Sequence, residues 1–145
     1  MENALNVETS GAIKILNKIT LKSLQSSVGG FVQPLTLAPD FIMWCNEEGK
    51  LLNLPHNPYA QFFWDAKHGS NIDYIVGDVV FTGGNDEEGG LLSLPIKRVA
   101  EVGTAIKSVN KIVKPLVRIH TVDYMEDFAY ETWVEQNNAE EWCGD

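Results

Sequence analysis

An α+β fold, a mostly antiparallel sheet with two or three helices packed on it, is predicted from three observations. Short β-branched and aromatic runs recur at 31–37, 41–45 and 73–81, set apart by turn residues. Two short segments carry helical spacing between a polar cap and a glycine stop. The chain of 145 residues, 44% hydrophobic and 21% charged, is long enough to bury one core and short for two.

Residues 1–11 are polar and uncapped, and read as a flexible N-terminus ahead of a single domain at 12–136. Residues 12–19 are expected as a strand with Ile13 and Ile15 on one face. Thr20 then caps a helix over 21–28, with Leu21, Leu24 and Val28 at i, i+3 and i+7, and Gly29-Gly30 ends it. Residues 31–37 alternate as a strand in which Pro34 marks an edge or a bulge. The runs 41–45 and 50–52, joined by Asn46-Glu47-Glu48-Gly49, predict a hairpin with Gly49 at positive φ. Asn57-Pro58 is a cap with proline in the first turn, opening a helix over 59–68 that Gly69 stops. Residues 73–81 are the strongest strand, central in the sheet, with Gly77 as a bulge or a close backbone approach. Residues 83–90 are an acidic, glycine-rich loop. A further helix starts at Ser93 and Pro95 and keeps its spacing to about Val109, although the richness in Val and Ile leaves strand character open. Pro115 is expected to break it, with a strand over 116–122, a helix over 123–136 and an acidic tail at 137–145.

Charge narrows the function classes. The net charge is −9, but residues 1–120 hold 12 acidic and 11 basic side chains, whereas residues 121–145 hold 8 acidic ones and no Lys or Arg. That end of the chain offers nothing to a phosphate backbone, so no direct nucleic-acid contact is expected there. It suits a host protein with a basic surface. Asp123, Asp127, Glu131 and Glu135 recur every four residues beside Glu126, opposite an apolar side of Met125, Phe128, Ala129, Thr132 and Trp133. Like charges at that spacing cost a helix roughly 0.2–0.5 kcal/mol each, so the row is either a solvated helix face or a surface presented to a partner. No apolar run reaches the length of a membrane span, and the N-terminus lacks the basic and apolar regions of a secretory signal. Cys45 and Cys143 are too few for a disulfide framework, which points to a reducing cytoplasm.

No catalytic set is legible. His56, His68, His120, Cys45 and Cys143 show no paired ligand spacing, so no metal or cofactor is expected. Gly83-Gly84 is followed by Asn-Asp-Glu-Glu, carboxylates that a phosphate loop avoids, and reads as a structural turn. Asp65 and His68 form an i, i+3 pair on one helix, and Asp78 in an apolar strand must be hydrogen-bonded or turned outward. Both faces of 41–45 are apolar, so that strand is buried on both sides, within one chain or across a homo-oligomer, or else exposes a binding patch. A ligand pocket beside the hairpin would be lined by Trp44, Asn46, Asn57 and Tyr59, with a small nucleotide as its candidate ligand.

Four short motifs carry a resemblance. Val28-Gly29-Gly30-Phe31-Val32, Asn46-Glu47-Glu48-Gly49-Lys50-Leu51, Leu54-Pro55-His56-Asn57-Pro58-Tyr59-Ala60 and Ile75-Val76-Gly77-Asp78-Val79-Val80 resemble, in order and approximate spacing, a small uncharacterised domain of bacteriophages, plasmids and integrative elements. The likeness covers about residues 20–95 and leaves the acidic end outside. It implies a small cytoplasmic α+β domain of mobile-element origin, with no catalytic residues to carry over. Together these readings predict a non-enzymatic accessory protein that binds a host protein, a counter-defence inhibitor being one form. The alternative is a small-ligand binder that sequesters a nucleotide-type signal.

Overall fold

The chain runs through β1 (Ala4–Val7), β2 (Ile13–Leu16), α1 (Leu21–Val28), β3 (Val32–Ala38), β4 (Phe41–Asn46), α2 (Pro58–His68), β5 (Val79–Thr82) and α3 (Ile96–His120). These elements come from a computed structural model that describes residues 3–70 and 72–120, the last eight as backbone only. The strands form one antiparallel sheet in the order β2-β1-β5-β4-β3, and the class is α+β.

Alternation sends side chains to two covered faces. Leu5, Val7, Phe41, Met43, Val79 and Phe81 pack with Tyr59 and Ala60 of α2 and Val99, Val102 and Ile106 of α3. Ala4 and Val80 point the other way, to Leu24 and Val28 of α1, with Trp44 at the margin. A sheet covered on both sides explains why 41–45 is apolar at every position: Ile42 and Met43, adjacent in sequence, are both buried.

Capping chemistry places the helices as expected. Thr20 Oγ1 accepts from Ser23 N–H (3.0 Å) while Ser23 Oγ accepts from Thr20 N–H (2.9 Å), and Gly29 closes α1 at φ 80°. β3, the strand with Pro34, lies at a sheet edge, where no second neighbour needs the missing N–H. β5 is central, and α3 begins directly after Pro95.

Four expectations are corrected. Residues 1–11 were expected as a flexible end, but Ala4–Val7 is an inner strand between β2 and β5, buried at all four positions. A strand buried on both faces has no polar alternation by which to announce itself. The predicted hairpin is absent: β4 pairs with β3 across Pro39-Asp40 and with β5 on its other side, so residues 50–52 find no free edge. Residues 47–53 coil in successive turns instead, Asn53 and not Gly49 takes positive φ (54°), and Leu51 is left 82% exposed. The strand expected over 73–81 shrinks to Val79–Thr82, because Gly77 at φ 78° breaks it and leaves Val76 only an isolated bridge to His56. Finally, α3 continues through Pro115 to His120 in place of the strand expected from residue 116. One proline removes one backbone hydrogen bond, which a helix of this length survives.

Asn57 joins three of these pieces. Its Oδ1 accepts from Tyr59 N–H (3.1 Å) and Ala60 N–H (3.0 Å) at the start of α2, and its Nδ2 donates to Val7 O of β1 (3.2 Å) and Gly77 O (2.9 Å). The residue is fully buried. Asn57→Ala removes the cap and leaves two buried carbonyls without their donor, so its expected cost is about 3 kcal/mol in urea unfolding. Asn57→Asp, which keeps the cap acceptor but loses the donors, is also expected to destabilise. A cost for Asn57→Ala no greater than that of an exposed cap would contradict the assignment.

Candidate functional site

The four residues predicted to line a pocket do not converge on one. Trp44 is half-buried on the α1 side, its Nε1–H donating to Thr82 Oγ1 (2.9 Å). Asn46, at the end of β4, donates from Nδ2 to Val28 O (3.1 Å) and accepts at Oδ1 from Glu48 N–H (2.8 Å), so it ties α1 to the turn that follows β4. Asn57 is the buried joint described above. Tyr59 is buried on the opposite side of the sheet from Trp44, and its hydroxyl donates to Asn110 Oδ1 of α3 (2.6 Å). Gly11 lies directly over that ring, where a Cβ would collide with the Tyr59 hydroxyl. The acidic row Asp123, Glu126, Asp127, Glu131 and Glu135 lies outside the described residues.

Other candidates resolve into structural roles. Asp65 accepts from Gln61 Nε2 (2.8 Å), and the His68 ring lies 4.1 Å from that of Trp64. Asp78 Oδ1 accepts from Thr9 N–H (3.0 Å), which supplies the hydrogen bond a carboxylate in that setting requires. Gly83 and Gly84 lie against the backbones of Ser93 and Pro39, with no room for a Cβ at either position. Among the described residues, no group of three or more His, Cys, Asp or Glu side chains could hold a metal ion, and no helix is long and apolar enough to cross a membrane.

Concave sites among the described residues include one of about 490 Å³ bordered by His56, Gln61, Asp65, Ser70 and Tyr74, and two that open on residues of β4. The larger of these two is a groove of about 570 Å³ between α2, α3 and the β3–β4 turn. Leu37, Phe41 and Phe63 line its apolar part, with Ala66 on the α2 side and Thr104 and Ala105 on the α3 side. The aromatic part is fixed by its own packing: Phe41 and Phe63 meet edge to face at 5.3 Å, and each lies within 5.3 Å of Phe81. Phe62, 45% exposed, is also among the groove residues.

The groove's cations are held in set positions. Arg98 donates from Nε (3.0 Å) and Nη2 (2.7 Å) to Asp40 Oδ1 and from Nη1 to Glu101 Oε2 (2.8 Å), and its guanidinium sits 5.1 Å from the Phe41 ring centre. That hydrogen bonding from Arg98 holds the Asp40 carboxyl below its ordinary range. Lys67 Nζ donates to Thr36 O (2.7 Å) and Leu37 O (3.1 Å), ending on carbonyls and not on a carboxylate.

The smaller site, a cleft of about 280 Å³, is bordered by Asn46, Lys50, Asp73, Tyr74 and Cys45. Lys50 pairs with the Asp73 carboxylate, and its ammonium stands 4.4 Å from the Tyr74 ring centre. The hydrogen bond from Lys50 holds Asp73 below the usual carboxylate range. Burial pushes the Cys45 thiol up to about 11, so at neutral pH it is a protonated side chain that donates to Gln33 O (3.7 Å), not a nucleophile.

With the groove and cleft in place, comparison by sequence supplies the family. The chain belongs to DUF3846. The match to this domain of unknown function runs over residues 1–107, from β1 into α3. No curated protein and no solved structure matches the chain. Every strand of the sheet falls within the DUF3846 region, as do all the residues named for the groove, whereas residues 121–145 lie beyond it. Sequence reading missed the groove because its walls come from residues about 35 positions apart, brought together only by the packing of α2 on α3. The one available signal was Phe62-Phe63, two adjacent aromatics on a helix that can bury only one stripe.

The Arg98–Asp40 pairing carries a pH signature. The folded-state pKa of Asp40 lies below its unfolded value, so its contribution to stability is complete above the ordinary carboxylate range and is lost as pH falls through the depressed folded value. Asp40→Asn is therefore expected to be less stable than the native chain at neutral pH, with the difference shrinking in acid, as read from urea midpoints across a pH series. A difference that stays constant with pH would contradict this.

Proposed function

We propose that the chain is a non-enzymatic accessory protein of a phage or mobile element that works by binding a host protein, with the groove between α2 and α3 as the receiving surface. A counter-defence role follows from that setting, which rests on the motif resemblance. One observation carries the binding surface: an apolar groove of about 570 Å³, its aromatic residues already locked and its cations already positioned. Its size falls in the range of about 300–1,000 Å³ found for binding pockets. A site fixed before its ligand arrives gives up little conformational entropy on binding. Apolar packing with a few oriented polar groups is the chemistry of an anchor site for a partner's side chains.

A test follows from Ala66, which is exposed on α2 and lines the groove, so that Ala66→Trp fills the groove without entering the core. Tagged native chain expressed in host cells is expected to retain a specific host protein, and Ala66→Trp to reduce its recovery about ten-fold, the effect of about 1.4 kcal/mol. Equal recovery by both would remove the groove from the account.

A second reading, sequestration of a small nucleotide, is favoured by the cleft in which Lys50 and the half-exposed Tyr74 ring lie beside Asn46. The Tyr74 face suits a base, and Lys50 suits a phosphate that takes the place of Asp73 as its partner. In a thermal-shift screen of nucleotides, a true ligand at 100 times its dissociation constant stabilises by about 2.7 kcal/mol, and Tyr74→Ala is expected to abolish the shift. A flat screen would exclude this reading.

A further inference from the structure

We infer that the partner element received by the groove is an acidic amphipathic helix. This rests on the groove being a binding surface and goes further, in naming what enters it and how the charges are arranged.

Charge is the first observation. α3 carries Lys97, Arg98, Lys107, Lys111, Lys114 and Arg118 against Glu101 alone. The rest of the chain is acidic: residues 1–95 hold 5 basic and 11 acidic side chains, and residues 121–145 hold no basic ones. One helix therefore holds 6 of the 11 basic side chains, and it is the helix that forms one wall of the groove.

Placement is the second. Lys97, Thr104 and Lys111 are seven residues apart and share one side of α3, with Lys107 one turn beyond Thr104. All three lysines are exposed, and none forms an ion pair among the described residues. Arg98, by contrast, is already engaged by Asp40 and Glu101. Lys107 and Lys111 thus extend the groove with no carboxylate on them among the described residues, Lys97 lies within the field of Asp40, and Lys67 inside the groove ends on carbonyls alone. From Ala100 to Lys111, α3 advances about 16 Å, or three turns of a helix lying alongside.

Shape is the third. Ala66, Ala100, Thr104 and Ala105 are small and lie on both helical walls, so a third helix could approach to the usual interaxial distance of about 8–10 Å. Its apolar residues at i, i+3, i+4 and i+7 would enter the groove beside Phe62, and its carboxylates would meet Lys97, Lys107, Lys111 and Lys67. A nucleic-acid backbone could use the lysines but would gain nothing from the groove, and it would face Asp40 and Glu101. The observations therefore favour a peptide.

The test uses the full chain and four labelled probes in fluorescence anisotropy: an amphipathic peptide with Leu and Phe on one face and Glu on the other, its sequence-scrambled form, the same apolar face with Lys in place of Glu, and a DNA duplex. The acidic amphipathic peptide is expected to bind at least about ten-fold tighter than the scrambled and lysine forms, and more weakly as salt rises. Ala66→Trp should abolish that binding, and Lys107→Glu with Lys111→Glu, both at exposed positions, should weaken it by about ten-fold or more. Circular dichroism checks that each variant keeps the native fold. If the lysine form binds equally well and is blocked by Ala66→Trp, the acidic specificity falls while the groove reading stands. If no peptide responds to Ala66→Trp, both fall. Duplex binding that exceeds peptide binding, is lost in the double lysine variant and ignores Ala66→Trp would overturn the inference in favour of a phosphate backbone.

Discussion

The fold depends on a side-chain amide that is buried and fully engaged. Asn57 holds the first turn of α2, the inner strand β1 and the Gly77 corner in one set of hydrogen bonds, and its own N–H donates to Ile75 O (2.9 Å). A buried amide is stable only when its donors and acceptor are met, and one that is met fixes geometry more tightly than apolar contact does. The direction in which α2 leaves this joint sets where Phe62, Phe63 and Ala66 stand, and with them one wall of the groove. The groove is in this sense a consequence of a cap.

Sheet coverage explains why a groove exists at all. β1, β4 and β5 are buried on both faces, one by the short α1 and the other by α2 and α3 together. α3 settles on the sheet through Val99, Val102 and Ile106. The small side chains between it and α2 do not fill the space over Leu37 and Phe41. Arg98 closes one end of that space by its pairing with Asp40 and by covering Phe41, so apolar surface, fixed charge and open volume come together there.

Much of this was legible from the residues, and the failures share a cause. α1 and α2 were found from their own caps, Thr20 and Asn57, because capping is local chemistry written within a few positions. Pro34 left an edge or a bulge open for β3, of which the sheet order shows the edge, and the apolar strand within 73–81 was correctly placed at the centre of the sheet. Pairing was not legible. Lys50-Leu51-Leu52 looked like a partner for β4, but β3 and β5 already occupy both of its edges. β1 went unseen because four residues buried on two faces show no alternation. Pro115 was given more weight than a single lost hydrogen bond carries. As for the site, Trp44, Asn46, Asn57 and Tyr59 were singled out for being polar or aromatic near turns, and each proves to be engaged in holding elements together. The groove was hidden because it is made by tertiary contact between α2 and α3, and Phe62-Phe63 marks only one of its walls.

The family match spans the region that builds the sheet and the groove, which locates the proposed surface in the shared domain and not in the acidic end of this chain. The central claim is that recognition occurs between α2 and α3. Amide hydrogen exchange of the full chain, free and in complex with a captured host protein, tests it most directly. The account predicts added protection at residues 62–67 and 98–111, with α1 and β2 unchanged. Protection confined to residues 47–54, to the β2 edge or to α1 would contradict it.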